Sequence, residues 1–333
     1  MKTGVDILPT AEHEALLAAI DRTLEKLFPF RRLHLKGTLA ECAAASWRTI
    51  ADQGWIGMGL PEEAGGVGYE LSEAVLAHRR FGRQLMTPSL TATVVAAKIA
   101  IETDQASSAG RLVRGEARAA FVMPCGQSGM QEQYVIDGEG AELFVGLGRS
   151  GAQLMSVDMG GARDVEALDP TTRLARVKAS PQGDPCRVAG LWAQTLLGAE
   201  LSGIAQAASE MAVEYAKTRE QFGKLIGAFQ AVAHACADGA MRAEAAVALS
   251  NFAAISVRDL RSDADFQAAA SLWVAADAAF RNATDNIQLH GGMGFAAESG
   301  AHLYLKRALL LRALGRAIPA QAAADPSVLE ALI

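Results

Sequence analysis

Aromatic residues make up only 6% of this 333-residue chain, cysteines number four, and no Glu or Asp lies between Ser299 and Ala324. The shortage of aromatics, beside abundant alanine, favours tightly packed helices, because Ala is the best helix former and lets helix axes approach closely. The cysteines, Cys42, Cys125, Cys186 and Cys236, are far apart and form no CxxC pair. That spacing argues against zinc or dithiol chemistry and leaves buried thiols in a reducing cytosol as the expectation. No apolar run approaches membrane-spanning length, and the start, Met1-Lys2-Thr3-Gly4-Val5-Asp6, leads into no signal-peptide-like stretch. The expected location is therefore cytoplasmic. The net charge of −6 gives no nucleic-acid footprint. What is present is 50% hydrophobic, enough for a large core in two or three packed units.

Three regions follow from periodicity. Residues 1–115 read as mostly helical, with helical spacing over Ala11–Lys26, Leu35–Gln53, Leu71–Arg83 and again after Pro88. The glycines and proline of Gly54–Gly68 break any helix there. Residues 116–187 change to short segments bounded by Gly, Asp or Pro: Ala119–Val122, Gln133–Ile136, Glu142–Val145 and Gln153–Val157. These predict a small β domain, with Asp137-Gly138 as a two-residue hairpin turn. Residues 188–333 predict a four-helix bundle with helices over Leu191–Thr218, Ala228–Arg258, about Ser262–Gln288 and about Ala296–Leu314. The second of these places Phe229, Val232, Cys236, Ala240 and Val247 on one stripe. Ser262 with Asp265 resembles a capping box at the start of the third. The fold class expected is mainly α with a small β domain.

Two segments at bundle turns carry chemistry. Thr218-Arg219-Glu220-Gln221-Phe222-Gly223 offers a guanidinium fork suited to phosphate, an aromatic face and a glycine for a tight reversal. Gln288-Leu289-His290-Gly291-Gly292-Met293-Gly294-Phe295 has three glycines within four residues, which let a ligand or another backbone come close. Taken singly, the first reads as an Arg-bearing interhelix turn and the second as a helix C-cap and turn. His290 by itself reads as a packed or capping histidine.

Together, in order and with their spacing, these segments resemble the acyl-CoA dehydrogenase family over nearly the whole chain. The N-terminal match is Gly54-Trp55-Ile56-Gly57, Pro61-Glu62-Glu63-Ala64-Gly65-Gly66-Val67-Gly68 and Phe81-Gly82-Arg83. The C-terminal match is Tyr215–Gly223, Ile226-Gly227, Phe229-Gln230-Ala231 and Gln288–Phe295. The resemblance implies a helical N-terminal domain, a middle β domain and a C-terminal four-helix bundle, with FAD at a subunit interface. It also implies that Arg219, Phe222, Gln230, Gln288, Gly291 and Gly292 reach across to the FAD of a neighbouring subunit. Arg219 would pair with the pyrophosphate, Phe222 would touch a ring, and the glycines would allow close backbone approach.

The chain departs from the family where the family's chemistry occurs. That reaction removes a proton from Cα of an acyl-CoA and needs a carboxylate base, in most members the Glu of a Tyr-Glu-Gly-Thr segment. Ala313-Leu314-Gly315-Arg316 aligns there, so Leu314 occupies the base position and Arg316 replaces a Thr that contacts the subunit's own FAD. The alternative base position falls in Gly190–Gln194, which has no carboxylate. Glu200 lies further along, with a polar or interface residue as its plainer reading, and Glu298 reads as a solvated helix-start residue. The middle-domain Thr-Glu-Pro stretch is at best replaced by Met123–Gly129, and no Trp-x-Thr/Ser strand is present. The residues that serve a neighbour's flavin are kept, and those that serve the chain's own flavin are gone. The expectation is a base-lacking subunit of a heteromeric, α2β2 acyl-CoA dehydrogenase of the steroid side-chain type. Its partner would carry the catalytic Glu, and electrons would leave through an electron-transfer flavoprotein. The alternatives are a homo-oligomeric dehydrogenase using Glu200, and a non-catalytic acyl-CoA-binding or structural protein without FAD.

Overall fold

A computed structural model describes residues 9–34, 47–124 and 132–316. The chain's first residues, much of the expected Leu35–Gln53 helix and most of the Met123–Gly129 stretch lie outside the described residues. Helix α1 (Ala11–Leu27) starts at Thr10, whose hydroxyl accepts from the His13 backbone N–H, and buries Leu17, Ile20 and Leu24 at helical spacing. Residues 47–52 are helical. The glycine-rich segment after them folds back on itself: a Cβ on Gly66 would fall 1.8 Å from the Leu60 carbonyl oxygen, so only glycine fits. Helices α2 (Leu71–Arg83), α3 (Pro88–Glu102) and α4 (Ala106–Val113) follow. Helix α3 begins with Thr87 as N-cap and Pro88 in the first turn, and nearly all of it is buried.

The β domain is a closed five-stranded barrel built from β1 (Ala119–Pro124), β2 (Glu132–Ile136), β3 (Leu143–Gly148), β4 (Gly151–Val165) and β5 (Leu174–Cys186). Ala120, Val122, Val135, Phe144, Met155, Val177 and Ala179 form its own small core. The order is β1-β2-β5-β4-β3, with β3 returning parallel to β1. The expected hairpin at Asp137-Gly138 is therefore corrected, because β2 and β3 do not pair and β1 lies between them. Asp137 instead turns the chain with φ +51° and uses its carboxylate to accept from the Arg173 backbone N–H at 2.8 Å and the Thr87 hydroxyl at 2.7 Å. Burial pushes its pKa up, against the pull of those two donors.

The bundle comprises α5 (Arg187–Thr218), α6 (Gln230–Arg258), α7 (Ala264–His290) and α8 (Ala301–Gly315). The mainly helical architecture with a small β barrel agrees with the sequence. Four local expectations are corrected. The inward residues of α6 are Gly239, Ala243, Ala246, Ser250 and Ala253-Ala254, while Ala240 is exposed. With alanine on every face, periodicity could not select the inner one. The Ser262/Asp265 capping box is not formed: Asp263 is the N-cap, and Asp265 pairs with Arg187. The last helix starts at Ala301, after two short 3₁₀ turns. Cys186 and Cys236 are free and half-buried rather than fully buried.

Arg307 joins the three regions. Its guanidinium is 2% exposed and donates to Asp169 at 2.6 Å, to the Thr171 hydroxyl at 2.8 Å and to the Met86 carbonyl at 2.5 Å. Bundle, barrel and the α2–α3 link thus meet on one buried cation whose donors find fixed acceptors.

Candidate functional site

Helix α5 ends at Thr218, and the chain turns at once into a small hairpin, β6 (Glu220–Gln221) with β7 (Lys224–Leu225). Its two central residues, Phe222 and Gly223, have φ of +52° and +77°. Two consecutive left-handed residues suit a tight right-twisted hairpin. Glycine meets this without strain, but phenylalanine pays about 1 kcal/mol. Phe222 is nevertheless 92% exposed, so no burial within the chain offsets that strain. Its ring lies edge-on to Phe229 at 6.2 Å, and the Lys224 ammonium sits 4.1 Å from the Phe229 centroid. A strained, solvent-facing aromatic points to a contact outside the chain.

Helix α6 begins beside this hairpin. Gln230 is exposed in its first turn, and no side chain caps that end. The Gln230 amide N–H approaches His234 Nε2 at 3.4 Å. The other segment closes α7. Gln288 is exposed, whereas His290 is buried, donates from Nδ1 to the Asn286 carbonyl at 2.8 Å and stacks on Tyr215 at 4.1 Å. That stacking ties the end of α7 to the end of α5 and brings the two sequence segments to one end of the bundle. His290 is thus a packing residue.

The glycines of the second segment differ in what requires them. Gly294 is needed internally, since a Cβ there would lie 2.4 Å from the Ile287 carbonyl oxygen. Gly291 adopts φ +59°, ψ −137°, a region essentially restricted to glycine. Gly292 has no positive φ, and no atom lies within 4 Å of where its Cβ would stand. Neither backbone nor packing within the chain asks for glycine at 292. Arg219 is exposed, and no described residue forms an ion pair with it. Met293 and Phe295 add exposed apolar surface, at 53% and 77%. An unpaired guanidinium, two exposed carboxamides, a presented ring and a bare backbone fit a phosphate-bearing, ring-bearing ligand that approaches from outside the chain.

The positions aligned with the catalytic base offer no chemistry here. Leu314 is fully buried on α8, and a Cβ on Gly315 would touch Leu272 at 3.2 Å. Glu200 is buried where α5 crosses α2 and α3. Its carboxylate accepts from the Thr91 hydroxyl and lies 3.1 Å from His78 Nδ1, so its partners are inside the chain. Glu298 is exposed on a 3₁₀ turn. A cleft of about 440 Å³ lies at the other end of α5, between Gly59–Glu62, Gly68–Leu71, Lys98, Trp192, Val257, Arg258 and Leu260, and Glu200 does not line it. Sequence reasoning missed Arg307, a single charge on the buried Leu303/Tyr304/Ala308/Leu311 face of α8, and did not single out Lys224 or His234. The signal for Arg307 was that misplaced charge.

Two family models match the chain: "Acyl-CoA dehydrogenase, N-terminal domain" over residues 10–106 and "Acyl-CoA dehydrogenase, C-terminal domain" over residues 192–315. The chain is 34% identical over 267 residues to acyl-CoA dehydrogenase IpdE2 of Mycobacterium tuberculosis, covering 79% of each protein. Its fold is similar to a chain of the ChsE4-ChsE5 complex from Mycobacterium tuberculosis, with TM-score 0.75, 23% identity and 98% of both chains covered. It is also similar to a chain of a Tcur3481-Tcur3483 steroid ACAD G363A variant, with TM-score 0.73, 23% identity, and 95% of this chain and 99% of that one covered.

Proposed function

Since the chain belongs to the acyl-CoA dehydrogenase family, whose members are FAD-dependent, we propose that it is the base-lacking subunit of a heteromeric acyl-CoA dehydrogenase. In this reading it completes the FAD site of an unlike partner. Bound FAD supplies the hydride acceptor for α,β-desaturation of an acyl-CoA. This chain's residues bind and orient: Arg219 holds phosphate charge, Phe222 contacts a ring, Gln230 and Gln288 present amide groups, and Gly291 and Gly292 let the ligand lie against the backbone. Proton abstraction falls to the partner, because Leu314 has no group that accepts a proton.

The observation that carries this reading is Gly292, a glycine with no internal reason to be one, beside a strained and exposed Phe222. A second observation supports a protein partner. Helix α6 leaves Ala233, Ala237, Ala240, Met241, Ala245 and Ala248 exposed around an exposed Glu244, a face of mostly small side chains that another subunit could approach closely. The similarity to a chain from a two-component complex, and to one described as a steroid ACAD, favours an unlike partner and a steroid side-chain thioester as substrate. An α2β2 assembly delivering electrons to an electron-transfer flavoprotein completes the proposal.

The test is to express the chain alone and together with a full-length acyl-CoA dehydrogenase carrying the Glu. Flavin absorbance and acyl-CoA oxidation are then recorded on each purified sample. The expected outcome is colourless, inactive single chain and a yellow, active co-purifying complex. Flavin and activity in the lone chain would overturn the reading in favour of a homo-oligomer using Glu200. Co-purification without flavin would favour the non-catalytic alternative.

A further inference from the structure

Two cations at this end of the bundle have no carboxylate partner among the described residues. The chain is acidic overall, at −6. Other described cations are in ion pairs: Lys217, at this same end, with Glu214 at 2.8 Å, Arg83 with Glu210 at 2.5 Å, and Arg281 with Asp277 at 2.8 Å. Among the described residues neither Arg219 nor Lys224 is in an ion pair, although Glu220 lies on the same hairpin. Lys224 is held by a ring instead: its ammonium rests 4.1 Å from the Phe229 centroid. A cation fixed over an aromatic face keeps its full charge while losing side-chain freedom, which prepares it for an anion. One turn into α6, His234 is exposed on the same face as Gln230, and its ring nitrogen is within 3.4 Å of that amide. Phe229, the residue between hairpin and helix, thus has Lys224 against its ring, and the Gln230/His234 pair follows it directly.

We propose that Lys224 and His234 belong to the contact with the partner's FAD, flanking Arg219 on the diphosphate side. Lys224 adds a second fixed positive charge, and His234 adds a ring nitrogen next to the Gln230 amide. This rests on the reading that the chain completes a neighbour's flavin site, and it extends that site by two residues outside the recognised motif. The chemistry is that of a dinucleotide diphosphate: two negative charges met by one planar fork and one point charge, each with a different hydrogen-bonding geometry.

The test measures FAD dissociation from the co-expressed complex by dialysis, at about 50 and about 300 mM salt, with gel filtration to confirm assembly. Lys224→Met keeps an unbranched apolar stem on Phe229 and removes only the charge. It is expected to weaken FAD binding roughly three- to tenfold and to reduce the salt dependence, and Lys224→Arg to restore both. His234→Phe is expected to weaken binding to a similar degree, with His234→Gln recovering most of it. If Arg219→Ala weakens FAD binding while Lys224→Met and His234→Phe do not, this inference is overturned and the trans-flavin reading stands. If none of the three weakens it, both fall. Loss of flavin accompanied by loss of assembly in Lys224→Met also counts against the inference, since the residue would then act on the interface.

Discussion

At the scale of single residues, glycines distinguish what the fold needs from what it leaves open. Gly294 and Gly292 stand two positions apart in one segment, yet only the first is locked by the chain's own backbone, through Ile287. Gly294→Ala is a folding lesion. Gly292→Ala is expected to leave the stability of the chain unchanged within about 0.5 kcal/mol, read from its melting temperature, while lowering flavin absorbance of the proposed complex. A destabilised Gly292→Ala chain, or a co-expressed complex containing it that holds FAD normally, would contradict the assignment. The sequence made both segments legible as motifs, because glycine clusters and an Arg-bearing turn are conspicuous between helices. It did not reveal that Phe222 is strained and presented, since φ is a property of the closed hairpin. Nor did it reveal that His290 faces inward onto Tyr215, since that depends on how α5 and α7 pack.

At the scale of elements, legibility followed pattern strength. Helices α1, α2, α3 and α5 were readable within a few residues, because apolar positions recur with a 3.6-residue period in α1 and α2, Pro88 marks the start of α3, and α5 is a long apolar, alanine-rich run. The facing of α6 was not readable, since alanine occupies inner and outer faces alike. The strand order was not readable either: β1 pairs with its successor but also with β3, so a turn residue alone could not say which strands meet. Where α2 crosses α5 the backbones touch. A Cβ on Gly82 would lie 2.0 Å from the Glu200 carbonyl oxygen, and one on Gly203 would lie 2.0 Å from that of Arg79. Close approach here seats the buried Glu200–His78–Thr91 cluster and lets Arg79, its pKa drawn down to about 10 by burial, donate to Asn251 of α6 at 3.2 Å. Gly82→Ala must push the two helices apart. It is expected to cost about 1–3 kcal/mol, measured as a lowered urea midpoint, and a midpoint unchanged from the parent chain would show that the crossing tolerates a methyl group.

At the scale of the whole molecule, one buried ion pair connects three regions. Arg307 and Asp169 are each 2% exposed, and the guanidinium also holds Thr171 and Met86. Removing one partner leaves a buried charge without its counterpart, so Arg307→Leu is expected to cost about 3–5 kcal/mol, read as a fall in the thermal midpoint of the complex. The double variant Arg307→Leu with Asp169→Leu should recover much of that loss; a single variant within about 1 kcal/mol of the parent would deny the pair its connecting role. By itself the sequence determined the family, the mainly helical class and the identity of the motif residues, because periodicity, glycine spacing and short segments are local properties of a chain. Only the tertiary structure decided that those segments share one end of the bundle, that Phe222 and Gly292 face outward, and that Glu200 is enclosed. Each of these depends on which surfaces remain uncovered once distant elements have packed, and no local pattern encodes that.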